Sequence, residues 1–117
     1  MQLNELRDLV IAALEDLKAQ DIKVLDVAKI AGFTDLMIIA SGSSSRQVKA
    51  IADRVQEYCL KAGVRPLGVE GESPAEWILI DLGDIVVHVM NPEMRDFYNL
   101  EKLWSTPPAN RSAAGAE

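Results

Sequence analysis

The segment 77–90 constrains the fold of this 117-residue chain more than any other. Two apolar runs, 77–82 and 85–90, flank the pair Gly83-Asp84. Runs of this kind are typical of β-strands. A two-residue loop that begins with glycine indicates a tight hairpin, because glycine supplies the positive φ that a type II′ turn requires. The sequence therefore predicts an antiparallel hairpin whose register is set by its turn.

The predicted register gives the hairpin two chemically different faces, because residues directly opposite each other share a face. One face is wholly aliphatic and consists of Ile78, Ile80, Leu82, Ile85, Val87 and Val89. The other face is mixed and consists of Trp77, Leu79, Asp81, Val86, His88 and Met90. We expect helices to cover the aliphatic face, since apolar burial is the main favourable contribution to folding. The mixed face is expected to be covered by C-terminal turns, a second copy of the chain or a partner.

Two amphipathic helices are predicted before the hairpin. Apolar side chains recur at helical spacing over residues 3–17 and again over 48–62. Ser44 and Gln47 have the spacing of a capping box at the start of the second helix, and Gly63 is placed to end it. Shorter apolar runs at 23–28, 36–40 and 67–70 predict three more strands.

The C-terminal part of the chain has a different character. Pro92 marks the start of one or two short helical turns, interrupted around Asn99. Residues 105–117 contain two prolines, four alanines and no bulky apolar side chain, which predicts a disordered tail. The whole pattern predicts one α/β domain over residues 1–104, with a mixed β-sheet of about five strands flanked by helices.

Charge and cysteine content narrow the classes of function. Eighteen acidic and twelve basic side chains leave a formal charge of -6, which disfavours direct nucleic-acid binding and suits a basic protein partner. The lone Cys59 cannot form an internal disulfide, and the first turns carry Glu5 and Asp8 rather than a basic signal-peptide start. The longest wholly apolar run, 9–14, is far too short to span a bilayer. We expect a cytoplasmic protein without a membrane segment.

Catalytic and metal-binding patterns are weak in this sequence. Gly42-Ser43 precedes a helix and could cradle a phosphate, but helix capping is the simpler interpretation because no phosphate-loop motif is present. A nucleotidyl transferase would need two carboxylates one residue apart on the following strand, and Asp81 and Asp84 are separated by a turn. With one histidine and one cysteine, a structural zinc site is excluded. No metal or other cofactor is expected.

His88 and the aromatic residues are the remaining candidates for a site. His88 lies diagonal to Asp81 in the predicted hairpin, which would suit a base, although a hydrogen-bonded structural histidine is favoured. Trp77, Tyr98 and Trp104 have the large rings with a polar atom that often anchor interfaces, with core packing as the alternative for each tryptophan.

Several motifs together resemble one known family, the ribosomal silencing factors, also called RsfS or Iojap-like proteins. The resemblance runs from about residue 3 to residue 104. Its most specific pieces are Thr34-Asp35, SGSSSRQV at 41–48, Glu70-Gly71, DLGD at 81–84, His88-Val89 and RDFYNLEKLW at 95–104.

The resemblance implies a nucleotidyltransferase-like fold without its catalytic site, and a role that is not enzymatic. It implies binding to the large ribosomal subunit through ribosomal protein L-fourteen. Bound there, the protein would sterically block the small subunit and repress translation under nutrient limitation or in stationary phase. Trp77, Leu82 and Tyr98 match positions that the family uses for this contact.

Three further residues are added to the predicted binding site, and two alternative functions remain open. Asp81, Arg95 and Glu101 are added to the binding site because they lie near Trp77 or Tyr98 in the predicted arrangement, the last two as a polar rim. A divergent Mg²⁺-dependent nucleotidyl transferase using Gly42-Ser43, and a homodimeric scaffold, are the alternatives to a ribosome anti-association factor. A homodimer is also conceivable when the protein is off the ribosome.

Overall fold

Five strands form a single mixed sheet in the computed structural model, which describes residues 1–105. The strands are β1 (Gln20–Asp26), β2 (Leu36–Ser41), β3 (Gly68–Glu70), β4 (Trp77–Asp81) and β5 (Ile85–Met90). Their order across the sheet is β1-β2-β5-β4-β3. Only the central pair, β2 and β5, runs parallel, and the other neighbours are antiparallel. The predicted mixed sheet of about five strands is confirmed.

Helices lie on both faces of this sheet. They are α1 (Leu3–Asp16), α2 (Ala28–Ala31), α3 (Ser45–Lys61), α4 (Pro92–Tyr98) and α5 (Leu100–Ser105). The long helices α1 and α3 cover one face, and α4 and α5 pack against the other. The disordered tail predicted for 105–117 lies outside the described residues, apart from Ser105 at the end of α5.

The hairpin has the predicted register. Trp77 pairs with Met90, Leu79 with His88, and the intervening positions follow without a shift. Gly83 has a φ of 89°, the conformation that the turn requires of it. The side chain of Asp81 accepts a hydrogen bond of 2.9 Å from the Gly83 amide and so closes the turn. The local turn chemistry therefore decides which side chains face each helix layer.

The aliphatic face of the hairpin lies in the main core, as predicted. All six of its residues are buried there, together with apolar side chains of β2, α1 and α3. Ser44 caps α3 by accepting a hydrogen bond of 3.1 Å from the Gln47 amide, and Gly63 follows the helix in the left-handed region, with a φ of 81°. The predicted start and end of this helix are confirmed.

The first strand differs from the prediction. It occupies Gln20–Asp26 instead of 23–28, and its pairing with β2 is shifted between Gln20 and Lys23, where Asp21 has a positive φ. Val27, expected within the strand, precedes α2 and is buried in a second, smaller core cluster. Val27 is apolar and β-branched, so it fits the strand pattern. It is buried because the chain turns into α2 at this residue and its side chain packs in the second cluster.

Candidate protein-docking surface

The C-terminal helices cover only part of the mixed face. Met37, Ile39 and Met90 of the sheet form a small core cluster with Val27. Met94 of α4 and Leu100 and Trp104 of α5 pack against that cluster. Coverage by the C-terminal turns, one of the three expectations for this face, is therefore observed. Trp104 packs as a core residue and also meets Phe33 edge-on, at 6.0 Å between ring centroids.

Arg95 attaches the C-terminal helices to the sheet. Its buried guanidinium donates hydrogen bonds to both carboxylate oxygens of Glu101, at 2.7 and 3.2 Å, to Ser41 Oγ at 2.8 Å and to the Asp21 carbonyl at 2.6 Å. The same contact with Arg95 lowers the pKa of Glu101. The two residues do not form the exposed rim expected from the sequence. The guanidinium fork instead satisfies acceptors on β1, β2 and α5 at once.

Asn99 makes this attachment possible. It separates α4 from α5 in the left-handed conformation, with a φ of 47°, so the chain turns back toward β1. The predicted interruption around Asn99 is thus confirmed. The turn brings Glu101 within reach of Arg95, six residues earlier in the chain.

Trp77 and His88 are linked across the hairpin. The indole Nε1–H of Trp77 donates a hydrogen bond of 3.0 Å to Nδ1 of His88. Burial lowers the pKa of His88 to about 4, so its ring is neutral at neutral pH. A hydrogen-bonded structural histidine was favoured from the sequence, and the bond exists. Its partner is Trp77, whereas the Asp81 side chain accepts a hydrogen bond in the turn.

Beyond His88, three aromatic side chains form one continuous surface. Trp77 is half-buried and also packs against the small core cluster, while Tyr98 and Phe97 are exposed. The rings of Trp77 and Tyr98 lie 4.9 Å apart, and those of Tyr98 and Phe97 lie 5.0 Å apart in an edge-on arrangement. Phe97 is 79% exposed and Tyr98 48% exposed. We call these three residues the aromatic surface. Large apolar rings left together in water are typical of interaction sites.

The structure brings together some of the predicted site residues and separates others. Trp77 and Tyr98 are in contact on the aromatic surface. Asp81 lies on the same sheet face but four residues further along β4, at the turn. Leu82 is only 8% exposed and belongs to the main core beneath the other face. Arg95 and Glu101 lie behind the surface and hold α4 in place.

Phe97 is the member of the aromatic surface that the sequence interpretation missed. It was assigned to the apolar pattern of the C-terminal turns, together with Met94. Met94 faces the small core cluster, whereas Phe97 points to solvent. Two adjacent rings on a helix of seven residues cannot both face the same core, and that adjacency was the available signal.

Gly71 helps to place Trp77. It has a φ of 86°, and a Cβ at this position would collide with the Trp77 carbonyl oxygen. The loop before β4 can therefore approach the strand only because residue 71 is glycine. This contact accounts for Glu70-Gly71 among the motifs that stood out in the sequence.

Exposed carboxylates lie on α4, which carries two of the rings, and on β3, the strand next to β4. Glu93 and Asp96 are exposed on α4. Glu70 of β3 is paired with Leu79 of β4 and so shares the sheet face with Trp77. The surroundings of the rings are therefore suited to a positively charged partner.

The other candidate sites have structural explanations or lack a cluster of ligands. Ser43 donates both its amide and its hydroxyl to Gln47 Oε1, at 2.6 Å each, so these donors cap α3. Within residues 1–105, no group of three or more His, Cys, Asp or Glu side chains is arranged to hold a metal ion. Over the same residues, no helix is long and apolar enough to cross a membrane.

Comparison with known proteins gives consistent matches over nearly the whole chain. A family profile described as "Ribosomal silencing factor during starvation" matches residues 1–116. The "Ribosomal silencing factor RsfS" of Chromobacterium violaceum is 49% identical over 104 residues, which cover 89% of this chain and 85% of that protein. The protein of the same name from Haemophilus influenzae is 45% identical over 98 residues, covering 84% and 96%.

Solved structures give the same match. A crystal structure of a Chromobacterium violaceum protein has a TM-score of 0.87 to this fold, with 49% sequence identity. The aligned part covers 89% of this chain and 87% of that one. The likeness therefore extends over most of the fold.

Proposed function

The chain belongs to the ribosomal silencing factor family, and we propose that it binds the large ribosomal subunit through ribosomal protein L-fourteen and blocks joining of the small subunit. One observation carries the proposal: Trp77 and Tyr98, two positions matching the family's contact residues, lie side by side, with Trp77 half-buried and Tyr98 exposed. Phe97 extends that surface. Tryptophan and tyrosine are enriched among the few residues that carry most of the binding energy at protein interfaces.

The proposed mechanism is steric occlusion and needs no catalytic step. A factor seated on the large subunit where the small subunit docks prevents the joined ribosome from forming, and translation falls during nutrient shortage. Rigid presentation of the rings favours this mode of action, because little conformational entropy is lost on binding. Arg95 supplies that rigidity by holding α4 against the sheet.

Charge supports a protein partner over RNA as the main contact. The chain carries a formal charge of -6, and Glu93 and Asp96 are exposed beside the rings. A ribosomal protein is characteristically basic, so the potentials are complementary and speed the encounter. The phosphate backbone of ribosomal RNA would instead be repelled. We place this activity in the cytoplasm, where ribosomes work.

Sedimentation with isolated ribosomal subunits tests the proposal. The wild-type protein is expected to co-migrate with the large subunit and to reduce the yield of joined ribosomes. Tyr98→Ala is expected to weaken both effects about tenfold, since it removes a central ring. Leu60→Ala is the matched control, because Leu60 is 51% exposed on α3, on the opposite side of the sheet.

Three results would contradict the proposal. One is a wild-type protein that neither co-migrates with the large subunit nor lowers subunit joining. Another is equal loss of binding in Tyr98→Ala and Leu60→Ala. The third is pyrophosphate release on calorimetric titration with ATP and Mg²⁺, which would favour the nucleotidyl transferase alternative.

We further propose that a second copy of the chain competes for the aromatic surface, and the mass of the free protein in solution tests this.

A further inference from the structure

His88 is a polar side chain in an apolar setting. It is 5% exposed and sits in the middle of the sheet, paired with Ile39 of β2 and Leu79 of β4. Val86 and Met90, two residues away along β5, share its face. Its Nε2 atom is buried and has no hydrogen-bond partner among the described residues. A histidine at this position is therefore costly to the fold.

The unpartnered nitrogen must carry the ring proton. An indole N–H can only donate, so Nδ1 of His88 is the acceptor in its bond with Trp77, and the proton of the neutral ring is on Nε2. Burial keeps the pKa of His88 near 4, so Nδ1 retains its lone pair at neutral pH. A leucine of similar size would bury this position without an unsatisfied donor. The one hydrogen bond that His88 makes is thus the interaction that an apolar residue could not provide.

That hydrogen bond determines how the Trp77 ring is presented. The indole lies between the imidazole, at 5.9 Å between centroids, and the Tyr98 ring, at 4.9 Å. Its only polar atom is directed inward to His88, which leaves the ring itself to the aromatic surface. Without an acceptor at Nδ1, the N–H would have to turn toward water to be satisfied. The contact with Tyr98 would then be lost.

We infer that His88 is a positioning residue: its Nδ1 holds the Trp77 indole in the orientation that receives the basic ribosomal protein. The inference rests on the proposed function, because it assumes that the aromatic surface is the docking site. His88 itself lies beneath that surface, since its side chain is buried. Its contribution to binding passes through Trp77, by preorganisation of the ring.

Two substitutions test whether the hydrogen-bond acceptor at Nδ1 is the feature of His88 that supports binding. His88→Asn places an amide oxygen near the position of Nδ1 and preserves the acceptor. His88→Leu fills the site but has no acceptor. We expect His88→Leu to weaken large-subunit binding about tenfold and His88→Asn to restore most of it. A purely structural role predicts the opposite order, because leucine suits the apolar surroundings better than asparagine.

The indole N–H resonances report the positioning directly. The chain has two tryptophans, Trp77 and Trp104, so the Trp104 signal is an internal control in the same NMR spectrum. In His88→Leu the Trp77 N–H signal should move toward the value of a solvated indole, and in His88→Asn it should stay near the wild-type value. An unmoved Trp77 signal in folded His88→Leu would overturn the inference.

A double-mutant cycle links the bond to binding. Trp77→Phe keeps an aromatic ring but has no N–H, so His88→Leu should weaken binding no further in that background. Equal tenfold losses from His88→Leu in both backgrounds would show that His88 acts on binding independently of Trp77. The proposed function fails separately, through absence of wild-type binding or full binding by Tyr98→Ala. The positioning role fails if wild type binds, Tyr98→Ala binds weakly and His88→Leu binds like wild type.

Discussion

The two faces of the sheet are covered by helices of very different length. α1 has 14 residues and α3 has 17, whereas α4 has seven and α5 six. At about 1.5 Å per residue, α3 extends about 25 Å, longer than the roughly 20 Å of a six-residue strand. α4 extends only about 10 Å. Long helices bury a whole face, while short ones leave part of it to a partner.

The difference also appears in how each cover is held. The aliphatic face contacts α1 and α3 through apolar packing, and its side chains are buried. On the mixed face, a small apolar cluster is supplemented by the Arg95 guanidinium, which links α4 and α5 to the sheet. The bond from Trp77 to His88 is a second directional link, within the sheet itself. Directional links position side chains accurately and contribute less to stability than a large core. The aliphatic face serves stability, and the mixed face serves to position the aromatic rings.

The largest expected effect comes from emptying the aliphatic face. Ile80→Ala should lower the free energy of unfolding by about 4 kcal/mol, because the Ile80 side chain is fully buried between the sheet and the long helices. Leu79→Ala, one residue away and half-buried on the opposite face, should cost less than half as much. Urea denaturation measures both. Equal losses would mean that the two faces contribute equally to stability.

Acid should act through the mixed face, at His88. Burial lowers the pKa of His88 from its ordinary 6.5 to about 4 in the folded protein. Between those values the unfolded chain binds a proton that the folded protein does not. Stability is therefore complete above about pH 6.5 and falls as the pH drops, by about 3 kcal/mol at pH 4. Thermal denaturation from pH 7 to pH 4 should show this loss in wild type and a smaller one in His88→Asn.

Breaking the Arg95 attachment should have the next largest effect. Arg95→Met removes hydrogen bonds to Glu101, Ser41 and Asp21, and should cost about 2 kcal/mol of unfolding free energy. The matched control is Lys49→Met. Lys49 pairs with Asp53 at 2.7 Å and with Glu72 at 3.5 Å in an exposed position, so its loss should change stability far less than the loss of Arg95. Denaturant titration that gave the two variants the same stability would contradict a structural role for Arg95.

The smallest effect on folding should come from the most exposed ring. Phe97→Ala should change stability by less than about 0.5 kcal/mol, since Phe97 is 79% exposed. It should nevertheless weaken large-subunit binding about tenfold, because the ring extends the aromatic surface. Leu60→Ala is again the control, because Leu60 is 51% exposed on α3, on the opposite side of the sheet. Binding assays in which Phe97→Ala equals wild type would restrict the site to Trp77 and Tyr98.

Much of the fold was predictable because it depends on local chemistry. Gly83 and Asp84 determine the turn, and a two-residue loop leaves one register for the two strands. Ser44 and Gln47 likewise define the start of α3 within one turn of chain. The limits of β1 were less predictable, since Val27 fits a strand pattern as well as it fits the buried start of α2.

The candidate site was predictable only in part. The resemblance to the family supplied Trp77 and Tyr98, which the fold brings into contact. It also supplied Leu82, which the pairing pattern assigns to the aliphatic face and the structure buries there. Arg95 looked like a surface charge, because no local pattern indicates that Ser41 and the Asp21 carbonyl lie within its reach.

The sequence by itself determined the alternation of faces along the hairpin, the position of its turn and the ends of α3, since each depends on residues within a few positions of one another. Tertiary structure alone decided how much of the mixed face stays open, that Phe97 and Tyr98 stand beside Trp77, and that His88 accepts the indole N–H. These features join residues distant along the chain. The ring contacts depend on how far the short helices α4 and α5 reach across the sheet, whereas the bond from Trp77 to His88 depends on the side-chain orientations within the hairpin.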